Sequence, residues 1–273
     1  MRGARIKTKL RAGRPVFTTG LRFHAPRLVE MLARSGVDQV FLDAEHGPLS
    51  PGECEEMVRA ADLHDLPVSI RVPVNSPEVI LRYLDIGTST IVVPHVTSRA
   101  DAERAVMAVK YPPEGRRSFA PGRGAELFGL TPAEYVRRAN EETVVVALFE
   151  DVAGLDAVDA ICRVPGVDAL AVGAYDLAAS MGFPGEPWRD EVQAVVERIL
   201  RTCRAARLPV GTVPRDRADL HRQIERGFQL ITVATVEWGI EAARGAVREL
   251  SEVRPPPAEA SEGARQAPSD SLT

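Results

Sequence analysis

The chain has 273 residues, of which 45% are hydrophobic and 26% charged, with a formal net charge of −4. This is ample apolar material for a large core, and the length suits an α/β barrel of about 250 residues. Dispersed arginines and a slightly acidic balance exclude a nucleic-acid surface, and the longest uninterrupted apolar run, 144 to 149, is too short to span a bilayer.

Residues 1 to 14 are polar and are expected on the surface. A repeating pattern then begins. The first strand is placed at 15 to 20, and apolar residues Leu28, Val29, Met31 and Leu32 at helical spacing place a helix at 26 to 35. The second strand, 39 to 42, leads through Asp43, Glu45 and His46 to a helix opened by Ser50-Pro51. A third strand at 67 to 72 is followed by Ser76-Pro77, and a fourth at 90 to 93 by a helix capped at Thr97 or Ser98. Residues 111 to 129 are too rich in Gly, Pro and Arg for a plain connection. Alternation resumes with strands at 143 to 149, 167 to 172, 209 to 213 and 229 to 233. Their helices fall at 152 to 162, 188 to 206, 216 to 226 and 237 to 250. This alternation predicts a (β/α)8 TIM barrel as a single domain over residues 1–253. Residues 254–273, rich in Pro, Ala and Ser, read as a disordered tail.

No apolar stretch follows the basic N-terminus, so no signal peptide is expected. Cys54, Cys162 and Cys203 form no ligand or redox motif, which fits buried thiols in a cytoplasmic protein.

In a parallel barrel the carboxyl ends of the strands converge, and chemistry gathers there. The second strand ends in Asp43, Glu45 and His46, the third in Arg71, the fourth in Pro94-His95, the fifth in Glu150 and Asp151, and the sixth in Gly173, Ala174, Tyr175 and Asp176. Carboxylates brought together repel unless a cation neutralises them. Oxygen ligands without cysteine favour Mg²⁺ or Mn²⁺, with Co²⁺ a further option, held by Glu150 and Asp176 and completed by water. Arg71 suits an anionic substrate. His95 reads as a packed rim histidine and Asp43 as structural.

The order DAEHG, RVP at 71 to 73, LDIGTSTIVVPHV, KYPPEGRRS and VGAYDLAASMG resembles the HpcH/HpaI aldolase family, metal-dependent barrel enzymes, over roughly residues 10 to 250. The resemblance implies a class II pyruvate aldolase, a lyase that cleaves or forms 4-hydroxy-2-oxo acids through a pyruvate enolate and yields an aldehyde. It implies Glu150 and Asp176 as metal ligands with Glu45 near the metal's waters, Arg71 on the enolate oxygen, and His46 as acid/base oriented by Asp85. The amides of Ala174 to Asp176 would hold the pyruvate carboxylate. It also implies a dimer-based homo-oligomer, such as a hexamer, with the C-terminal helix exchanged between subunits. Leu148 and Tyr175 depart from the glutamine and small residue usual at those places, so the substrate pocket is altered. Alternatives are an oxaloacetate- or citryl-type lyase or decarboxylase, and a non-catalytic oxo-acid binder. Arg116, Arg117 and Arg123 are candidates for covering the site.

Overall fold

The computed structural model describes residues 2–120 and 123–251. Eight parallel strands close in sequence order: β1 (Val16–Leu21), β2 (Gln39–Asp43), β3 (Val68–Arg71), β4 (Thr90–Val93), β5 (Val144–Phe149), β6 (Ala169–Val172), β7 (Val210–Thr212) and β8 (Leu230–Val233), with β8 pairing back onto β1. Helix α1 (Gly3–Arg11) precedes the barrel, and α2 (Pro26–Ala33), α3 (Pro51–Asp62), α4 (Pro77–Asp85) and α5 (Arg99–Val109) follow the first four strands in turn. Next come α6 (Arg123–Phe128) and α7 (Pro132–Glu142), both ahead of β5. A 3₁₀ turn and α8 (Val158–Cys162) follow β5, α9 (Ala174–Ser180) and α10 (Asp190–Ala205) follow β6, α11 (Arg217–Arg226) follows β7, and α12 (Thr235–Ser251) follows β8. This is the expected TIM barrel.

Local chemistry sets the helix starts. Ser50 with Glu53 and Thr131 with Glu134 form reciprocal capping boxes, and proline occupies the first turn of α2, α3, α4 and α7. The strands alternate between two cores. Val40, Leu42, Val68, Ile70, Val145, Ala147 and Phe149 pack outward beneath the helices. Phe41, Val92, Val144, Val146 and Leu148 fill the barrel itself. This period of two determines which strand-end residues look into the mouth.

Two expectations are corrected. The first residues are not merely a polar surface: Ile6 and Leu10 of α1 are buried in the same cluster as Val16, Val144 and Leu230, so α1 closes the N-terminal end of the barrel. The Gly/Pro/Arg-rich segment leads into α6, and α7 after it packs Tyr135 and Ala139 on Tyr111 and Ala125. The polar reading of residues 1 to 14 failed because only two large apolar residues, one turn apart, carry the buried face.

The chain divides into two compact units, 1–236 and 237–273. The barrel is the first; the described part of the second is the remainder of α12. The tail expected at 254–273 lies outside the described residues. No helix among the described residues is long and apolar enough to cross a membrane.

Candidate active site

Strand parity brings the site together. Continuing the inward series Val144, Val146, Leu148 places Glu150 just beyond β5 on the axis side. By the same alternation Asp43 follows Phe41, Arg71 follows Ser69, and Gly173 follows Ala171. In the β2–β3 register Asp43 lies directly beside Arg71. Arg71 Nε donates to Asp43 Oδ1 at 2.9 Å and Nη2 to Oδ2 at 2.6 Å, a two-pronged bond that fixes the guanidinium plane. Asp43 Oδ1 also accepts the amides of Glu45 and His46, each at 3.2 Å. Burial raises the Asp43 carboxyl, but the hydrogen bonds and charge of Arg71, with those amides, more than offset it and hold the group below its ordinary range. Asp43 therefore organises the loop after β2 and aims Arg71. The turn also needs Gly47, because a Cβ there would lie 2.4 Å from the carbonyl oxygens of Arg22 and Asp43.

The next layer is acidic. Arg71 Nη1 lies 3.1 Å from Glu45 Oε2, yet that buried oxygen has no hydrogen bond. Glu150 is 2% exposed. Burial, the largest influence, pushes its carboxyl up; the His95 amide and imidazole oppose this, while the charges of Glu45 and Asp176 add to it. Gly173 makes room for it, since a Cβ there would sit 2.7 Å from Glu150 Oε2. Asp176 is exposed in the first turn of α9, and Tyr175 beside it is exposed as well. Leu148 is buried in the barrel interior below Glu150.

His95 is the residue that sequence reasoning undervalued. Its amide donates to Glu150 Oε1 at 2.8 Å. Its Nδ1 lies 3.2 Å from Glu150 and its Nε2 3.3 Å from Glu45, bridging the two acids. Parity would send it outward with Ile91 and Val93, but its φ of +53° breaks the alternation and brings it to the acids. The only signal available in the sequence was its place at a strand end.

His46 is exposed on the loop after β2. Asp85 lies at the end of α4, where its Oδ1 accepts from Arg117 Nη2 at 2.8 Å, and no hydrogen bond or ion pair joins it to His46 within the chain. Arg117 is itself buried and stacks over Tyr111 at 4.5 Å, while Arg123 bonds Ile86 O and Asp62. Within one chain these two arginines thus have structural partners. Arg116 lies instead on a separate groove between α4 and α5.

The donor set suits a hard divalent cation: a carboxylate raised by burial and then by its acidic neighbours, a second carboxylate on α9, and a carboxylate oxygen left without a hydrogen bond. Among the described residues no group of three or more His, Cys, Asp or Glu side chains is arranged to hold a metal. A site of two carboxylates completed by water and substrate falls below that number.

A carboxylate cluster facing Arg71 at the C-terminal mouth of a closed parallel barrel is the arrangement of a barrel enzyme. Residues 21–238 match the model of the HpcH/HpaI aldolase/citrate lyase family, and the chain belongs to that family. It is a carbon–carbon lyase of the aldolase type. A hydroxypyruvate/pyruvate aldolase of Paraburkholderia phytofirmans is 32% identical, covering 90% of this chain and 96% of its own. A 5-keto-4-deoxy-D-glucarate aldolase of Salmonella arizonae is 34% identical over 77% of this chain and 82% of its own. A crystal structure of a family member from Burkholderia cenocepacia superposes with a TM-score of 0.86 at 32% identity, covering 91% of this chain and all of that one.

Proposed function

We propose that the protein is a class II aldolase that cleaves or forms 4-hydroxy-2-oxo acids through a pyruvate enolate, using Mg²⁺ or Mn²⁺ at Glu150 and Asp176. The observation that carries this reading is the buried Glu150 carboxylate, crowded by Glu45 and Asp176 and cradled by Gly173, with Arg71 held across from it by Asp43. Aldolase relatives that act on pyruvate or on a keto-deoxy sugar acid support the same substrate class.

When bound, the cation supplies positive charge to the keto and carboxylate oxygens of a 2-oxo acid. Arg71 adds a fixed, always-charged donor facing the oxygen where negative charge grows as the C3–C4 bond breaks. Asp43 keeps that donor aimed without itself contacting substrate. His46 takes the proton from the C4 hydroxyl in the cleavage direction and returns one in synthesis. The turn from Gly173 to Asp176 receives the substrate carboxylate. Leu148 and Tyr175 shape the pocket and thereby the choice of aldehyde. Asp85, whose Oδ1 accepts from Arg117, has its second carboxylate oxygen for the orientation of His46. The three free, buried cysteines support a cytoplasmic setting.

The test is pyruvate release from a panel of 4-hydroxy-2-oxo acids by protein stripped with EDTA and then reloaded with Mg²⁺ or Mn²⁺. Cleavage that requires the metal is expected. Metal-independent turnover would sink the mechanism, and decarboxylation of oxaloacetate with no aldol cleavage would move the protein to the related decarboxylases.

A further inference from the structure

A second cavity opens at the opposite end of the barrel from the acidic mouth. Its volume is about 650 Å³, within the range of small-molecule sites. It lies against α1, the end of α5, α7, and the N-terminal ends of β6, β7 and β8, so it shares no residue with the catalytic face.

Its charge is opposite to that of the mouth. Five cationic residues line it (Lys7, Arg11, Lys110, Arg204 and Arg207) against three acids, in a chain whose net charge is −4. Two of the cations are buried. Lys7 is 7% exposed and meets Asp168 at 3.0 Å. Lys110 is 2% exposed, and its ammonium donates to the carbonyls of Asn140 and Thr143. Burial, reinforced by the charge of Lys7, pulls Lys110 down to about 8, so its positive charge is held in an environment that does not fully compensate it. An anion in the cavity would relieve that deficit.

Two more cations are exposed and free. Among the described residues neither the Arg11 nor the Arg207 guanidinium has a hydrogen bond or ion pair. Arg207 also sits just past the end of α10 with a φ of +59°, a position that favours glycine. A long cationic side chain there carries a backbone cost, and among the described residues no ion pair of its guanidinium offsets it. The lining contains no aromatic ring on which a base would stack.

We infer that this cavity is a binding site for a small, non-aromatic polyanion, of the phosphate-monoester or polycarboxylate type, held by Arg11 and Arg207 at its rim and by Lys7 and Lys110 within. The site is separate from the aldolase centre and does not depend on the reading of that centre.

The test is calorimetric titration of the full-length, Mg²⁺-loaded protein with ribose 5-phosphate and, separately, with tricarballylate, in the presence of saturating oxalate to occupy the catalytic face. Saturable binding of at least one probe is expected, and the preferred probe distinguishes phosphate from carboxylate recognition. Arg11→Ala and Arg207→Gly should each weaken it about tenfold or more, the size of one lost charge-assisted bond. Both residues are exposed, and glycine suits the Arg207 backbone, so thermal unfolding of the two variants should match the parent. Their aldolase rates without added anion should also be unchanged. Absence of saturable heat from both probes, parental affinity in both variants, or displacement of the probe by oxalate would each overturn the assignment.

Discussion

At the scale of single residues, the Asp43–Arg71 pair is where stability and chemistry meet. Removing the Asp43 charge leaves a mostly buried guanidinium without its main partner, so Asp43→Asn should cost about 3 kcal/mol, read by chemical denaturation. Because Arg71 holds the folded carboxyl below its unfolded value, the pair stabilises fully above the ordinary aspartate range near pH ~4 and loses that contribution as pH falls through the lower folded value. The parent should therefore lose denaturant resistance in that acidic window more steeply than Asp43→Asn does. Gly173→Ala addresses the proposed metal ligand, Glu150, directly. Its methyl would stand 2.8 Å from Glu150 Cβ, which cannot swing away as a flexible tip would. Mn²⁺ affinity, followed by electron paramagnetic resonance, should fall about tenfold or more, a cost of roughly 1.4 kcal/mol. By contrast His46→Ala should abolish most aldol turnover and leave metal-dependent pyruvate binding nearly intact. Loss of binding as well would make His46 a ligand or structural residue. Much of this geometry was legible, because Asp43, Arg71 and Glu150 each end a strand whose alternation can be counted in the sequence. His95 was not, since a left-handed backbone angle on a non-glycine residue leaves no mark in composition or periodicity.

At the scale of elements, α1 is the part whose role the sequence concealed. Its helix carries basic residues along most of its length, and only Ile6 and Leu10 turn into the barrel, with Lys7 tied to Asp168 just before β6. The expected consequence is specific: Leu10→Ala should lower unfolding free energy by about 2–4 kcal/mol, as a buried core leucine does. A substitution on the solvent side of the same helix, such as Arg5→Ala, should cost under about 1 kcal/mol. Equal, small effects at both positions would show that α1 is an appendage. The stretch from 111 to 142 was hard to read for a different reason. Its breakers sit at the front, and the apolar residues of α7 pack on Tyr111 and Ala125 in a satellite cluster away from the main core. The helices after the first three strands were easier, because a proline in the first turn punctuates each of α2, α3 and α4.

At the scale of the whole molecule, eight strand–helix repeats were enough to imply closure, and the strands do pair from β1 round to β8. The expected exchange of a C-terminal helix between subunits concerns a second copy, which one chain's pattern does not encode. Closure has a functional corollary: the two ends of the barrel carry opposite chemistry, acids and one arginine at the mouth and a lysine–arginine cavity at the base. In the proposed function the mouth makes pyruvate enolate with the help of a divalent ion. The most direct measurement is exchange of the pyruvate methyl protons for deuterium in D₂O, followed by proton NMR, because it reports enolate formation without knowledge of the aldehyde. Exchange should be rapid with the Mn²⁺- or Mg²⁺-loaded protein, vanish with EDTA and return on adding metal back, and be strongly reduced in Arg71→Ala. Exchange that persists in EDTA-treated protein, or aldol cleavage by a loaded enzyme that never exchanges the methyl protons, would contradict the account.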